Sequence, residues 1–128
     1  MSDLGRARRA VDLGSTTLTT VLLTPVFLVV ALMAFQAALW THARTEARVI
    51  ARNSAALVAR SHADAAATER SAEAMLTADT DLAAPSVDIV VVGDVVTARV
   101  TGRAPGMIRG TSAGVDIVEA VPREGFRP

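Results

Sequence analysis

The 128-residue chain has no cysteine, no lysine and no tyrosine, and its only aromatics are three phenylalanines and one tryptophan. Without cysteine there can be no disulfide and no thiolate metal site. Without lysine, the evenly spaced Gly102, Gly106, Gly110 and Gly114 cannot form a phosphate loop; no helix follows them either, and they read as turn residues. The formal net charge is zero, so no overall field favours nucleic acid. The two histidines, His42 and His62, lie twenty residues apart on what reads as one helix, too far to share an ion. Asp79 and Asp81 form an acidic pair, but no further acidic ligands follow at calcium-loop spacing, which makes a helix-end loop the simpler reading. No nucleophile, base and acid can be assembled at motif spacing. No catalytic residue, cofactor or metal is expected.

What the chain does have is length without charge. From Leu13 to Ala43 no residue carries a formal charge, and Val21 to Trp40 is almost wholly apolar. Twenty residues of helix span about 30 Å, the thickness of a bilayer's hydrocarbon core. A secretory signal core is shorter and ends at a small-x-small site, which is not clean here, and Arg8-Arg9 lacks the rest of a twin-arginine pattern. A retained single span over 15–41 is favoured, behind a basic tail over 1–14 carrying Arg6, Arg8 and Arg9. Within it Pro25 removes one backbone donor and is expected to kink or loosen the helix, with the hydroxyls of Thr20 and Thr24 available to the freed carbonyl. Gln36 is the one strong hydrogen-bonding side chain deep in the run, suited to contact with a partner helix or to the interface. Trp40 fits an interfacial anchor.

Beyond the span, 42–79 keeps a helical pattern with no proline or glycine. Ala43, Ala47, Ile50, Ser54, Leu57, Ser61, Ala65, Thr68, Ala72 and Met75 recur every three or four residues and predict one small-residue stripe. Arg44, Arg48, Arg52, Arg60 and Arg70 fall opposite, a solvated face that could also meet anionic lipid. Arg60 with Asp64, and Arg70 with Glu73, are at helix-pair spacing. Ala83-Ala84-Pro85 is expected to end the helix.

The period then switches to two. VDIVVV (87–92) and VVTARVT (95–101) flank Gly93-Asp94, a two-residue hairpin signal, and VDIVEAV (115–121) reads as a third strand. Val96, Ala98 and Val100 should face the helix, with Thr97, Arg99 and Thr101 toward water. Phe126, the one aromatic outside the span, is placed to plug the end of the core. The expected fold is α+β: a long N-terminal transmembrane and amphipathic helix followed by a small three-stranded antiparallel sheet over 86–128.

The stretches GSTTLTTVLLTPVFLVV (14–30), ALWTHAR (38–44), VVTARVTGRAPGMIRG (95–110) and EAVPREGFRP (119–128) occur in an order that resembles the TadE-like family in its actinobacterial form. These are pseudopilin-type, pilin-like components of tight-adherence (Tad/Flp) pilus assembly, and the resemblance covers nearly the whole chain. It implies a plasma-membrane protein with its N-terminus cytoplasmic and its sheet domain outside. The charge count alone, with Arg44, Arg48 and Arg52 close behind the span, gives no clear orientation. Implied partners are the bilayer, other membrane proteins of the assembly system and pseudopilin-type subunits, with no nucleic acid. In prepilin-type members a peptidase cuts after a glycine, and a glutamate stands fifth in the mature chain. Gly14 and Ser15 match the cleavage point, but the fifth residue from Ser15 is Thr19. Thr19 cannot supply the charge that pairs with a neighbouring subunit, so a membrane-retained assembly component fits better than a major filament subunit. The alternative is a bitopic anchor or sensor whose exterior domain binds a small ligand or an envelope component, a reading weakened by the small sheet.

Overall fold

The computed structural model describes residues 3–123, with side chains from Thr17 onward. The chain divides into two units, Met1–Phe35 and Gln36–Pro128. The elements are α1 (Asp3–Ser61), α2 (Ala65–Asp79), β1 (Ala83–Val92), β2 (Val95–Ala104) and β3 (Ala113–Pro122). This is the α+β arrangement expected, a long apolar N-terminal helix followed by a three-stranded antiparallel sheet in the order β1-β2-β3. Phe126 lies outside the described residues.

The first unit is α1 alone. Every side chain described in it, from Thr17 to Phe35, is exposed. The helix continues through Pro25.

The second unit, the head, holds one core. Ala43, Ala47, Ala51, Ala55, Val58 and Ala59 of α1 join Ala72 and Leu76 of α2, Leu82, and the inward residues of all three strands. Its largest fully buried side chains are Leu76, Val96 and Val100, and among the described residues it contains no aromatic one. A core of alanine and valine needs backbones in close approach, because each alanine removes little apolar area from water.

The continuous helix expected over 42–79 is two helices. His62 adopts a positive φ of 50°, and Asp64 then caps α2, its carboxylate accepting from the Ala67 N–H at 3.1 Å. The Asp64 carbonyl also accepts from the Thr68 N–H at 3.0 Å and the Thr68 hydroxyl at 2.9 Å. Asp64 therefore serves the backbone rather than Arg60. α2 ends at Asp79, where Thr80 donates its N–H and its hydroxyl to the Leu76 carbonyl. Ala83-Ala84-Pro85, expected to end the helix, instead opens β1, with Ala84 at φ 49° and a register shift between Ala83 and Ser86.

The break interrupts the helical count of the buried face. Three non-helical residues contribute none of the 100° steps that a helical stripe assumes. Thr68 and Ala72 beyond the break are buried as expected, but Met75 is exposed and Leu76 buried in its place; before the break, Ser54 is buried as expected, while Leu57 and Ser61 are exposed and Val58 is buried. Within α1 the buried series 43, 47, 51, 55, 59 advances in fours. Each such step turns the face by roughly 40°, so it winds around the helix as it rises.

The sheet follows its alternation. Gly93, at φ 57°, and Asp94 turn the β1–β2 hairpin, pairing Val92 with Val95. Val96, Ala98 and Val100 are buried, as are Val115 and Ile117 of β3. Gly102 and Gly114 are strand residues rather than turn residues, paired with Val115 and Arg103. A Cβ on Gly102 would stand 2.6 Å from Leu82 Cδ2, so β2 needs glycine there for Leu82 to enter the core.

Candidate functional site

Among the described residues one helix, over Thr17–Ser61, is long and apolar enough to cross a membrane, and its most apolar stretch is entirely unburied. That is compatible with a single-pass membrane protein. A core helix of a water-soluble protein passes the same length test but is covered by the rest of the chain; this one is not. Leu22, Leu23, Val26, Phe27, Leu28, Val29, Val30 and Met33 are all more than half exposed. In lipid, that exposure is the favourable state.

Three threonine hydroxyls of α1 are satisfied along its own backbone. The Thr24 hydroxyl donates to the Thr20 carbonyl at 2.7 Å, Thr41 to Ala37 at 2.8 Å and Thr45 to Thr41 at 2.9 Å. Pro25 leaves the Val21 carbonyl without its usual i+4 donor. The Thr24 hydroxyl thus lies on the carbonyl one residue before the freed one. Thr19 is exposed on α1, and Gly14 and Ser15 lie in the same helix upstream of the described side chains.

Gln36 begins the head unit. It is half-buried and has no hydrogen-bond partner among the described residues, the state of an amide that still has donors and acceptors to offer. One turn on, the Trp40 ring carries the Arg44 guanidinium over its face at 4.9 Å from the centroid. An indole and a guanidinium so stacked suit the boundary between hydrocarbon and headgroups.

Several other charged residues of the head are held by local pairings. His42 lies 3.1 Å from Glu46, and Arg123 reaches His62 Nδ1 at 3.0 Å. Arg48 bridges from α1 to Glu119 of β3 at 3.2 Å. Asp79 and Asp81 share a shallow cleft with Leu39, His42, Ala43, Glu46, Thr80 and Pro105. No group of three acidic or histidine side chains converges for a metal among the described residues. On the outer face of the sheet Arg99 grips Asp116 with two bonds, Nε to Oδ1 at 3.0 Å and Nη2 to Oδ2 at 2.5 Å. That hydrogen-bonded contact raises the Arg99 pKa and lowers that of Asp116.

Two glutamates do work that their helix spacing does not announce. Glu73 Oε1 accepts from the Val87 N–H at 3.0 Å, and Glu69 Oε1 from the Ile89 N–H at 2.7 Å. α2 packs along β1, and its carboxylates cap two N–H groups of that edge of the sheet. The expected Arg70–Glu73 pair is absent for this reason: Arg70 Nε donates to the Ala66 carbonyl instead. The sequence signal that could have found it is weak, two acidic residues four apart on a helix that precedes an edge strand.

Comparison with family models, curated proteins and solved structures found no match for this chain.

Proposed function

We propose that the chain is a membrane-retained, non-catalytic component of a Tad/Flp-type pilus assembly machine, of the TadE-like pseudopilin class. Its span is anchored in the plasma membrane, with the N-terminus in the cytoplasm and the head outside. The observation that carries the membrane part is the uncovered apolar helix, whose leucines, valines and phenylalanines find no cover among the described residues. The pilus part is supported by the order of motifs: the Gly14-Ser15 start, Pro25 in the span, Trp40 after it, the Thr101-Gly102-Arg103-Ala104-Pro105 strand end and the Glu119 to Pro128 finish. Thr19 in place of a glutamate favours a retained scaffold over a filament subunit. The unpartnered Gln36 amide is the contact offered to neighbouring spans.

Affinity purification of the tagged full-length protein from solubilised membranes tests this. It should retrieve a secretion ATPase and polytopic membrane proteins, with residues before Ser15 still attached by mass spectrometry. Gln36→Leu should weaken that retrieval. Membranes that yield the protein without such partners would overturn the pilus reading while leaving the anchor in place.

A further inference from the structure

The head carries a second apolar feature that its own core does not use. The β2–β3 connection, residues 105–112, presents Met107 and Ile108 to the outside at 51% and 62% exposure. In a head whose core is alanine and valine, these are among the largest apolar side chains, and neither is placed inside. The connection is built, not slack. The Ile108 carbonyl accepts from the Thr111 N–H at 3.1 Å and from its hydroxyl at 2.7 Å. Gly110 takes φ 93°, and Gly106 sits so tightly on Thr111 that a Cβ there would overlap its backbone. The turn thus holds the two side chains outward. Exposed Arg103 and Arg109 flank them.

The position of this turn decides what it meets. Pro105, at its root, shares a cleft with Leu39 and His42 of α1. Leu39 adjoins Trp40, whose ring and stacked Arg44 mark the level where the apolar run ends. The turn therefore leaves the head at its Trp40 end. The opposite end is marked by Arg123, which bonds His62 and the Asp94 carbonyl.

We propose that residues 106–110 form a second membrane contact: Met107 and Ile108, at the Trp40 end of the head, dip into the interfacial layer of the bilayer, and Arg103 and Arg109 meet lipid phosphates. Two apolar side chains on a fixed turn with arginines at its shoulders match the boundary layer, apolar below and anionic above. Asp79 and Asp81, in the Pro105 cleft, keep that cleft on the aqueous side. The contact would fix the head's tilt and rotation on the membrane, and so the direction its sheet faces. This rests on the membrane reading given above.

The absence of cysteine makes the test direct. Single-cysteine variants Ile108→Cys, Met107→Cys, Asp94→Cys and Phe27→Cys of the full-length protein are labelled with an environment-sensitive fluorophore. They are then reconstituted in phosphatidylcholine–phosphatidylglycerol vesicles with and without quencher-bearing lipids. The proposal expects probes at 107 and 108 to emit at shorter wavelength and to lose most of their emission to shallow quenchers. The probe at 94 should stay water-like, and that at 27 should respond to deep quenchers. Quenching at 27 without quenching at 107 or 108 overturns the proposal and leaves the span intact. A blue-shifted but unquenched probe at 108 also overturns it, assigning the turn to a protein partner such as a second copy. No quenching at 27 removes the span and the proposal together.

Discussion

From Leu18 to Phe35, α1 turns leucine, valine and phenylalanine outward on every side; from Ala43 to Ala59 it turns alanine inward and arginine outward. The same backbone is thus solvated in two opposite ways. In the first region the large side chains are the interface with the surroundings, and chain-internal cover is absent. In the second, burial falls mostly to alanines, joined by Ser54 and Val58, which let strands and α2 approach, and Leu57 and Val49 stay outside. The difference teaches that apolar content alone does not tell which part of a helix is core. Alanine spacing marks the packed face here, and continuous bulk marks the uncovered one.

The sharpest way to break this comparison is to put a charge where the first region meets hydrocarbon. Leu28→Arg should cost about 2.5–3.5 kcal/mol of insertion at a mid-helix position. Carbonate-washed membranes should then release much of the variant into the supernatant, while the parent stays in the pellet. The equally exposed Val118, on the outer face of the sheet, should accept arginine with no change in partitioning. If Leu28→Arg stays in the pellet like the parent, the outward leucines of α1 are not lipid-facing.

The second test inverts the logic in the head. Ala51 is fully buried, so Ala51→Leu forces bulk between α1 and its neighbours and should destabilise the head by about 1–3 kcal/mol. Ala38, exposed on the same helix, should tolerate leucine with an unchanged melting curve. Thermal unfolding in detergent, followed by circular dichroism, separates the two. Equal melting of both variants would mean that the alanine face is not packed.

Much of this was legible in the residues. Alternation alone placed Val96, Ala98 and Val100 inside, because a strand's period of two leaves no other choice once one face is buried. Gly93-Asp94 announced the hairpin, since the turn needs a positive φ that glycine supplies. The first half of the helical stripe was readable in Ala43 and Ala47. Ser54, Thr68 and Ala72 of the later stripe are buried as well, but Leu57 is not, because the buried face of α1 advances in fours, and Met75 is not, because it lies beyond a break at His62 that no glycine signals. Asp64 ahead of three alanines was a fair cap signal that its spacing to Arg60 obscured. Glu69 and Glu73 were beyond reach, because their partners are backbone N–H groups of β1, 20 and 14 residues away in the chain. Of the site residues, Gln36 and Trp40 were legible by type and place, as polar and amphipathic groups in an apolar run. The turn at Met107 and Ile108 was not, since its importance depends on which end of the head it occupies.

The smallest effect sharpens the water-facing side of the comparison. Arg99 and Asp116 are both exposed, so their two-bond pair lies in high dielectric and stabilises the head only slightly. The pairing lowers the Asp116 pKa, so the folded state holds this carboxylate ionised at pH values where the unfolded chain has begun to protonate it. Its contribution is complete above the ordinary carboxylate range and is lost as pH falls through the lowered value in the folded head. Asp116→Asn should therefore lower the melting temperature slightly at neutral pH, and the gap between parent and variant should close on acidification. High salt should narrow the same gap at neutral pH. A gap that widened toward low pH would mean that Asp116 is stabilised in its protonated form, against the sense of its contact with Arg99.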